Sequence, residues 1–274
     1  MNASPPDRGN SNGTSYRLSG EGPPIVLVHG VGMDLDMWDP VASRLEAGHR
    51  VLRYDMLGHG QSEKPPGPYS LADFVEQVAA LTLALHLEAF DLVGFSMGAM
   101  VAQAYAAANP GQVRRLVLLS AVYERSPEES AAVRARARNL TRQSYVASIE
   151  EAIERWFTPA FRQRNPLAIA WVRRRMQAND LAAYAACYDV FARADRELSG
   201  LLPRIAAPTL AMTGAEDRRS TPAMSLALAG KLRRGKSLIV EGRRHLLPLE
   251  VPELVASAIE AFLSGVGEMP ERVA

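Results

Sequence analysis

The chain has one cysteine, Cys187, in 274 residues, so it closes no disulfide within itself. A single thiol fits a reducing compartment, and a cytoplasmic location is expected. Cys187 lies in an alanine-rich helical run, where a cysteine behaves as a small buried hydrophobe rather than a nucleophile. Neither sign of charge is in excess. Lys and Arg number 31 against 30 Asp and Glu, a formal net charge of +1. That balance gives no reason to expect nucleic acid or an anionic membrane surface as a partner. No apolar run approaches the about 20 residues that span a bilayer. Residues 1–13 lack the basic start and apolar stretch of a signal peptide and are rich in Asn, Ser, Gly and Pro. They read as a disordered tail. No metal or cofactor is expected, and nothing in the sequence sets an oligomeric state.

What is present is an alternation. Apolar runs at Ile25–Val28, Val51–Tyr54, Phe90–Val93, Arg115–Ser120, Thr209–Thr213 and Ser237–Val240 read as strands covered on both faces. A weaker strand spans Thr14–Ser19. Helical patterns fall between them, at Asp36–Glu46, from the cap Ser70 to about Leu87, at Ala99–Ala108, at Pro222–Leu232 and at Pro252–Leu263. Strands alternating with helices predict an α/β fold, a mostly parallel central sheet flanked by helices. From 121 to 203 the alternation stops. Helical patterns at Glu128–Gln143, Ser148–Trp156, Leu167–Ala178 and Leu181–Asp195 read as a helical lid inserted into a core made of 14–120 and 204–266.

The strongest local signal is Gly94-Phe95-Ser96-Met97-Gly98, directly after an apolar run and directly before a helix. A sharp strand-to-helix turn presents a serine in strained dihedrals, and the flanking glycines have no Cβ to clash with the backbone packed around it. The Met97 amide then sits at a helix N-terminus, where it suits an anion. Nucleophilic chemistry also needs a histidine base and an acid to orient it. Asp217 follows the strand Thr209–Thr213, and His245 follows Ser237–Val240. Both lie just past the carboxyl ends of strands, the edge where open parallel sheets bind ligands. Ser96 is thus the candidate nucleophile, His245 the candidate base and later acid, and Asp217 the group that orients the imidazole. Glu216 and Glu124 are competing acids. His29 reads as a structural group that packs behind its loop and hydrogen-bonds backbone there.

With these residues in place, the chain resembles α/β-hydrolase-fold serine hydrolases from about Thr14 to Leu263. The segments that carry the likeness are Val28-His29-Gly30-Val31-Gly32, the run from Asp55 to Ser62, the serine turn, Gly214–Asp217 and Glu241–Glu250. Within that superfamily the 3-oxoadipate enol-lactonase group is the most similar, through Glu154–Arg162 and Tyr184-Ala185-Ala186-Cys187. The resemblance implies that the Val31 amide is the second oxyanion donor beside that of Met97. It also implies hydrolysis of a small ester or lactone through an acyl-enzyme. An amide hydrolase of formamido or acetamido dicarboxylates, a carbon–carbon bond hydrolase and a cofactor-free haloperoxidase share the same triad. A non-catalytic receptor is the remaining class, but nothing in the lid suggests a partner groove. Arg243-Arg244 before His245 departs from the small residues usual there.

The substrate is expected to be a small molecule. Trp156, Tyr184 and Leu246 are the candidate substrate-binding side chains, with Met33 and Met97 beside them in the wall. Twelve arginines between Arg134 and Arg196 crowd the lid. Most should lie on solvated faces, with one or two turned inward toward a substrate carboxylate.

Overall fold

In a computed structural model of the chain, residues 7–265 and 270–274 are described. Among them, nine strands form one sheet. They are β1 (Asp7–Ser11), β2 (Thr14–Ser19), β3 (Pro24–Val28), β4 (Arg50–Tyr54), β5 (Phe90–Phe95), β6 (Val113–Leu119), β7 (Thr209–Gly214), β8 (Gly235–Val240) and β9 (Arg272–Val273). Their order is β1-β2-β4-β3-β5-β6-β7-β8-β9. β2 runs antiparallel to β1 and β4, and the other pairings are parallel.

The central parallel strands are largely apolar because both faces are covered, and side-chain alternation assigns the faces. Val26, Val28, Leu52 and Leu92 join one core cluster, while Ile25, Leu27, Val51 and Val93 join the other. That is the period of two expected of a strand. Each of these side chains is fully buried, a contribution of about 1.5–3 kcal/mol apiece.

The helices of the core are α1 (Asp39–Leu45), α2 (Leu71–Ala84) and α3 (Met97–Ala108). After β6 the chain runs through α4 (Pro127–Arg138), α5 (Arg142–Trp156), α6 (Pro159–Arg164), α7 (Pro166–Gln177) and α8 (Leu181–Ser199) before it returns to β7. Then follow α9 (Pro222–Lys231), α10 (Leu247–Glu250) and α11 (Pro252–Ser264).

The structure differs from the sequence reading in several elements. Residues 7–13 are not a disordered tail. They pair as a hairpin with β2, turning at Asn12-Gly13, whose φ angles are +47° and +76°. Asn-Gly accepts two left-handed residues in succession, as a two-residue hairpin turn demands. The rest of the proposed tail, residues 1–6, lies outside the described residues. The single helix expected over Glu128–Gln143 is two, because Thr141 starts a new helix with a capping box to Ser144. β9 was not foreseen. It is two residues long and adds to β8 by pairing Ile239 with Arg272 and Val240 with Val273.

The order in which the chain adds strands reverses at β3. β4 lies on one side of it and β5 on the other. The loops leaving β3 and β5 are therefore neighbours at the carboxyl edge, the place where such sheets form a crevice.

Candidate active site

The turn at Ser96 shows why its glycines are needed. Ser96 has φ +54° and ψ −114°, a conformation an L-residue adopts only when its surroundings hold it there. A Cβ on Gly94 would lie 2.3 Å from the Gly98 carbonyl oxygen, and one on Gly98 would lie 2.3 Å from Val28 O and 2.4 Å from His29 O. All of these are backbone atoms, which cannot swing aside. The turn at the acid follows the same logic, since a Cβ on Gly214 would lie 2.3 Å from both Arg243 O and Arg244 O. The loop that carries the acid and the loop that carries the histidine are thereby packed backbone to backbone.

His245 Nδ1 lies 2.6 Å from Asp217 Oδ2. A carboxylate only accepts, so Nδ1 carries the proton and Nε2 is left with its lone pair. The second Asp217 oxygen accepts from the amides of Arg219 at 2.9 Å and Ser220 at 3.0 Å, so the carboxylate cannot rotate away from the ring. Glu216 instead pairs with Arg244 at 3.3 Å, and Glu124 accepts from the Tyr123 hydroxyl at 2.9 Å. Neither competing acid approaches His245. Two further contacts hold the histidine. Ser120 Oγ donates to the His245 carbonyl at 2.8 Å, and the imidazole lies against Phe95 and Trp156, with ring centroids 5.1 and 6.1 Å away.

Ser96, Asp217 and His245 all line one cavity beneath the lid. Of the expected substrate-binding residues, Trp156 and Tyr184 line it as well. Leu246 does not. It is fully buried in the core, and its amide donates to the Trp156 carbonyl at 3.1 Å. Met33 and Met97 are likewise absent from the lining, because their side chains are taken up in the core clusters.

The loop after β3 is tied down by two histidines. Met56 N donates to His29 Nε2 at 2.9 Å, so His29 Nδ1–H donates to the Gly30 carbonyl at 2.8 Å. Gly32 N donates to His59 Nε2 at 3.0 Å, so His59 Nδ1–H donates to Leu57 O at 3.0 Å. Burial pushes the His29 pKa down to about 3 and that of His59 well below its ordinary value, so both rings stay neutral. The Gly30 carbonyl also accepts from Met33 N at 3.2 Å. In a trans peptide the Val31 N–H points opposite to that carbonyl, away from the loop interior. Val31 lines the cavity. Among the described residues, neither the Val31 amide nor that of Met97 finds a hydrogen-bond acceptor.

The inward-facing arginines are also visible. Arg125, Arg136, Arg155, Arg218 and Arg219 line the cavity, against the carboxylates Glu129, Glu151 and Asp217. Arg136 and Arg155 belong to the lid set picked out in the sequence. The other three come from loops and were missed, since no periodicity aims a loop side chain. Arg125 is neutralised by the buried Asp195 at 3.0 Å and its guanidinium stacks over Phe191, 4.4 Å from the ring centroid. Burial first, then the charges of Arg136 and Arg219, lower the pKa of Arg155. The guanidinium groups of Arg136, Arg155 and Arg219 repel one another across the cavity. Arg244, the departure noted in the sequence, does not line this cavity. It donates to Glu154 O at 2.7 Å and Phe157 O at 3.1 Å, at the C-terminal end of α5 and the residue that follows it.

Comparison with known proteins agrees with the geometry. Residues 23–147 match the family described as alpha/beta hydrolase fold. An (E)-2-((N-methylformamido)methylene)succinate hydrolase of Acinetobacter baylyi is 32% identical over 254 residues, 93% of this chain and 95% of that one. The 3-oxoadipate enol-lactonase 2 of the same organism is 27% identical over 88% of each chain. Among solved structures, the enol-lactonase from Burkholderia xenovorans LB400 superposes with a TM-score of 0.84 at 31% identity, covering 94% of this chain and all of that one. The chain belongs to the α/β-hydrolase fold family, and it is a hydrolase. No helix among the described residues is long and apolar enough to cross a membrane.

Proposed function

We propose that this enzyme hydrolyses a small ester or lactone that itself bears a carboxylate, through an acyl-enzyme on Ser96. The observation that carries the reading is the His245–Asp217 bond, 2.6 Å long, in the same cavity as a strained Ser96. His245 Nε2 takes the Ser96 proton as Oγ attacks the carbonyl, and Asp217 stabilises the imidazolium. The amides of Val31 and Met97 receive the oxyanion, each worth on the order of 3 kcal/mol of barrier. His245 returns the proton to the leaving oxygen, and a water activated by the same base releases the acid. The guanidinium groups of Arg136, Arg155 and Arg219 bind the substrate's own carboxylate. Among the described residues they have no close carboxylate partner. Glu151 lies 3.7 Å from Arg155, while Arg136 donates to the Tyr188 hydroxyl at 3.3 Å.

Ser96→Ala should lower kcat on p-nitrophenyl acetate by at least about 10³-fold and abolish labelling by a fluorophosphonate. Full retention of either removes the assignment. Arg155→Ala and Arg136→Ala should raise KM for p-nitrophenyl hemisuccinate about tenfold or more and leave that for p-nitrophenyl butyrate nearly unchanged. Equal losses on the two esters would rule out a carboxylate subsite.

A second reading is favoured by the relative at 32% identity, whose name specifies an enamide dicarboxylate. There the same triad cleaves an amide, and His245 protonates a nitrogen leaving group instead of oxygen. Comparing kcat/KM for enol-lactone acids and enamide diacids on one preparation separates the two.

A further inference from the structure

Asn179, in the turn between α7 and α8, joins the lid to the loop after β3. It is 5% exposed. Its Nδ2 donates to the Gly32 carbonyl at 2.9 Å and to the Tyr145 hydroxyl at 2.9 Å. Its Oδ1 accepts from Arg175 Nη2. The amide orientation is unambiguous. A guanidinium can only donate and a backbone carbonyl can only accept, so a flipped Asn179 would fail at both. The Tyr145 hydroxyl donates in turn to Met176 O at 2.6 Å, and Arg175 Nε pairs with Asp34 Oδ2 at 3.2 Å. Asp34 returns the chain of contacts to the segment that begins at Gly32.

Gly32 is therefore held from both sides. The core holds its amide through His59, and the lid holds its carbonyl through Asn179. It has φ +81°, and a Cβ there would meet Tyr184 of α8 at 3.1 Å, so the lid rests directly on this loop. Val31 is the residue before it. The peptide plane bearing the Val31 amide is anchored by His29 on one side, and the next two planes are anchored by His59 and Asn179.

We propose that Asn179 is a positioning residue for the oxyanion loop: through the Gly32 carbonyl, the seated lid completes the alignment of the Val31 amide for the transition state. This rests on the assignment of Val31 as an oxyanion donor. It places one determinant of the chemical step in the lid, outside the residues that touch substrate. Small misplacements of such donors cost rate rather than ground-state affinity, up to about 10²-fold for a shift of about 1 Å.

The test uses two substitutions. Asn179→Asp is isosteric but turns an oxygen toward the Gly32 carbonyl. Asn179→Ala removes the bond and leaves space for a water to replace it. We expect kcat on p-nitrophenyl esters to fall about 10- to 100-fold in Asn179→Asp and less in Asn179→Ala, with KM within about twofold in both. An alkyl boronic acid, which forms a tetrahedral adduct with the serine, should bind more weakly by the same factor as kcat falls. A loss of general stability would not reproduce that parallel, and thermal melting identifies a variant that has lost its fold. If kcat is unchanged in either folded variant, or if kcat falls while boronate affinity stays that of the parent, the proposal is overturned. The parent enzyme's labelling by a fluorophosphonate reports on the serine-hydrolase reading separately. Its absence would overturn that reading and, with it, the role given to Val31.

Discussion

At the scale of single residues, the acid is the assignment that gained most. The sequence offers Glu216 and Asp217 side by side, and strand-end placement alone does not separate them. The turn does. Gly214 O accepts from the Asp217 amide at 3.1 Å, and two further amides fix the Asp217 carboxylate against His245, while the Glu216 side chain turns out to Arg244. Asp217→Asn should therefore lower kcat about 10³- to 10⁴-fold, because the amide favours the wrong imidazole tautomer. Glu216→Gln should stay within about threefold of the parent. Steady-state kinetics on one ester measures both, and the reverse ranking would make Glu216 the acid. Ser120 has no such signal in the sequence. It ends an apolar strand like any polar residue would, and only the fold brings it across to the His245 carbonyl.

At the scale of elements, the serine turn was legible because its requirements are local. A strand must end, a helix must begin, and neighbouring backbone must come close, so Gly94 and Gly98 are written into the sequence. Gly98→Ala should destabilise the protein by about 3 kcal/mol or prevent folding, since its Cβ would meet two carbonyl oxygens of the β3 edge. Denaturant unfolding would show it. A variant of parental stability would mean that the close approach relaxes freely.

The lid elements were legible as helices but not as contacts. Periodicity separates a buried face from an exposed one, and it says nothing of which neighbour the face meets. Arg244 illustrates this. Its guanidinium caps the carbonyl end of α5, and nearby Glu250 accepts from the Thr158 amide at 3.1 Å. The α5 terminus is thereby fastened to the loop that carries His245. Arg244→Ala should cost about 2 kcal/mol and lower the melting temperature. Its KM for a neutral ester should change little, because Arg244 lies outside the cavity of Ser96.

At the scale of the whole molecule, two buried neutral histidines make the fold sensitive to acid. His29 has its pKa lowered to about 3 by burial, and His59 is lowered in the same direction. Unfolding restores ordinary values near 6.5. Below that pH the unfolded chain binds protons that the folded one refuses, so the stability from these groups is present above about pH 6.5 and is lost as pH falls toward 3. Asp34 acts in the opposite sense. Burial raises its pKa to about 6 against the partial opposition of Arg175. The folded state therefore holds that proton more tightly between about 3.8 and 6, and folding gains from it as pH falls through that window. Burial raises Asp39 and Asp91 in the same sense as Asp34, but the two fully buried histidines are shifted furthest, so net stability should decline on acidification below about pH 6. Melting temperature measured from pH 7.5 to 4 checks the sign. A melting temperature that rises steadily on acidification would contradict it.

The sequence by itself determined the alternating α/β order, the serine turn, the strand ends that carry Asp217 and His245, and the presence of a helical insertion. Each is set by short-range physics: apolar runs, backbone clearance and helix caps. Tertiary structure alone decided which acid reaches the histidine, which arginines face the cavity, and how Asn179 and Arg244 bind the lid to the loops beneath it. Those contacts join residues as many as 147 positions apart, as from Gly32 to Asn179. No local pattern encodes such a partner, because the sheet and the lid must pack before the two residues meet.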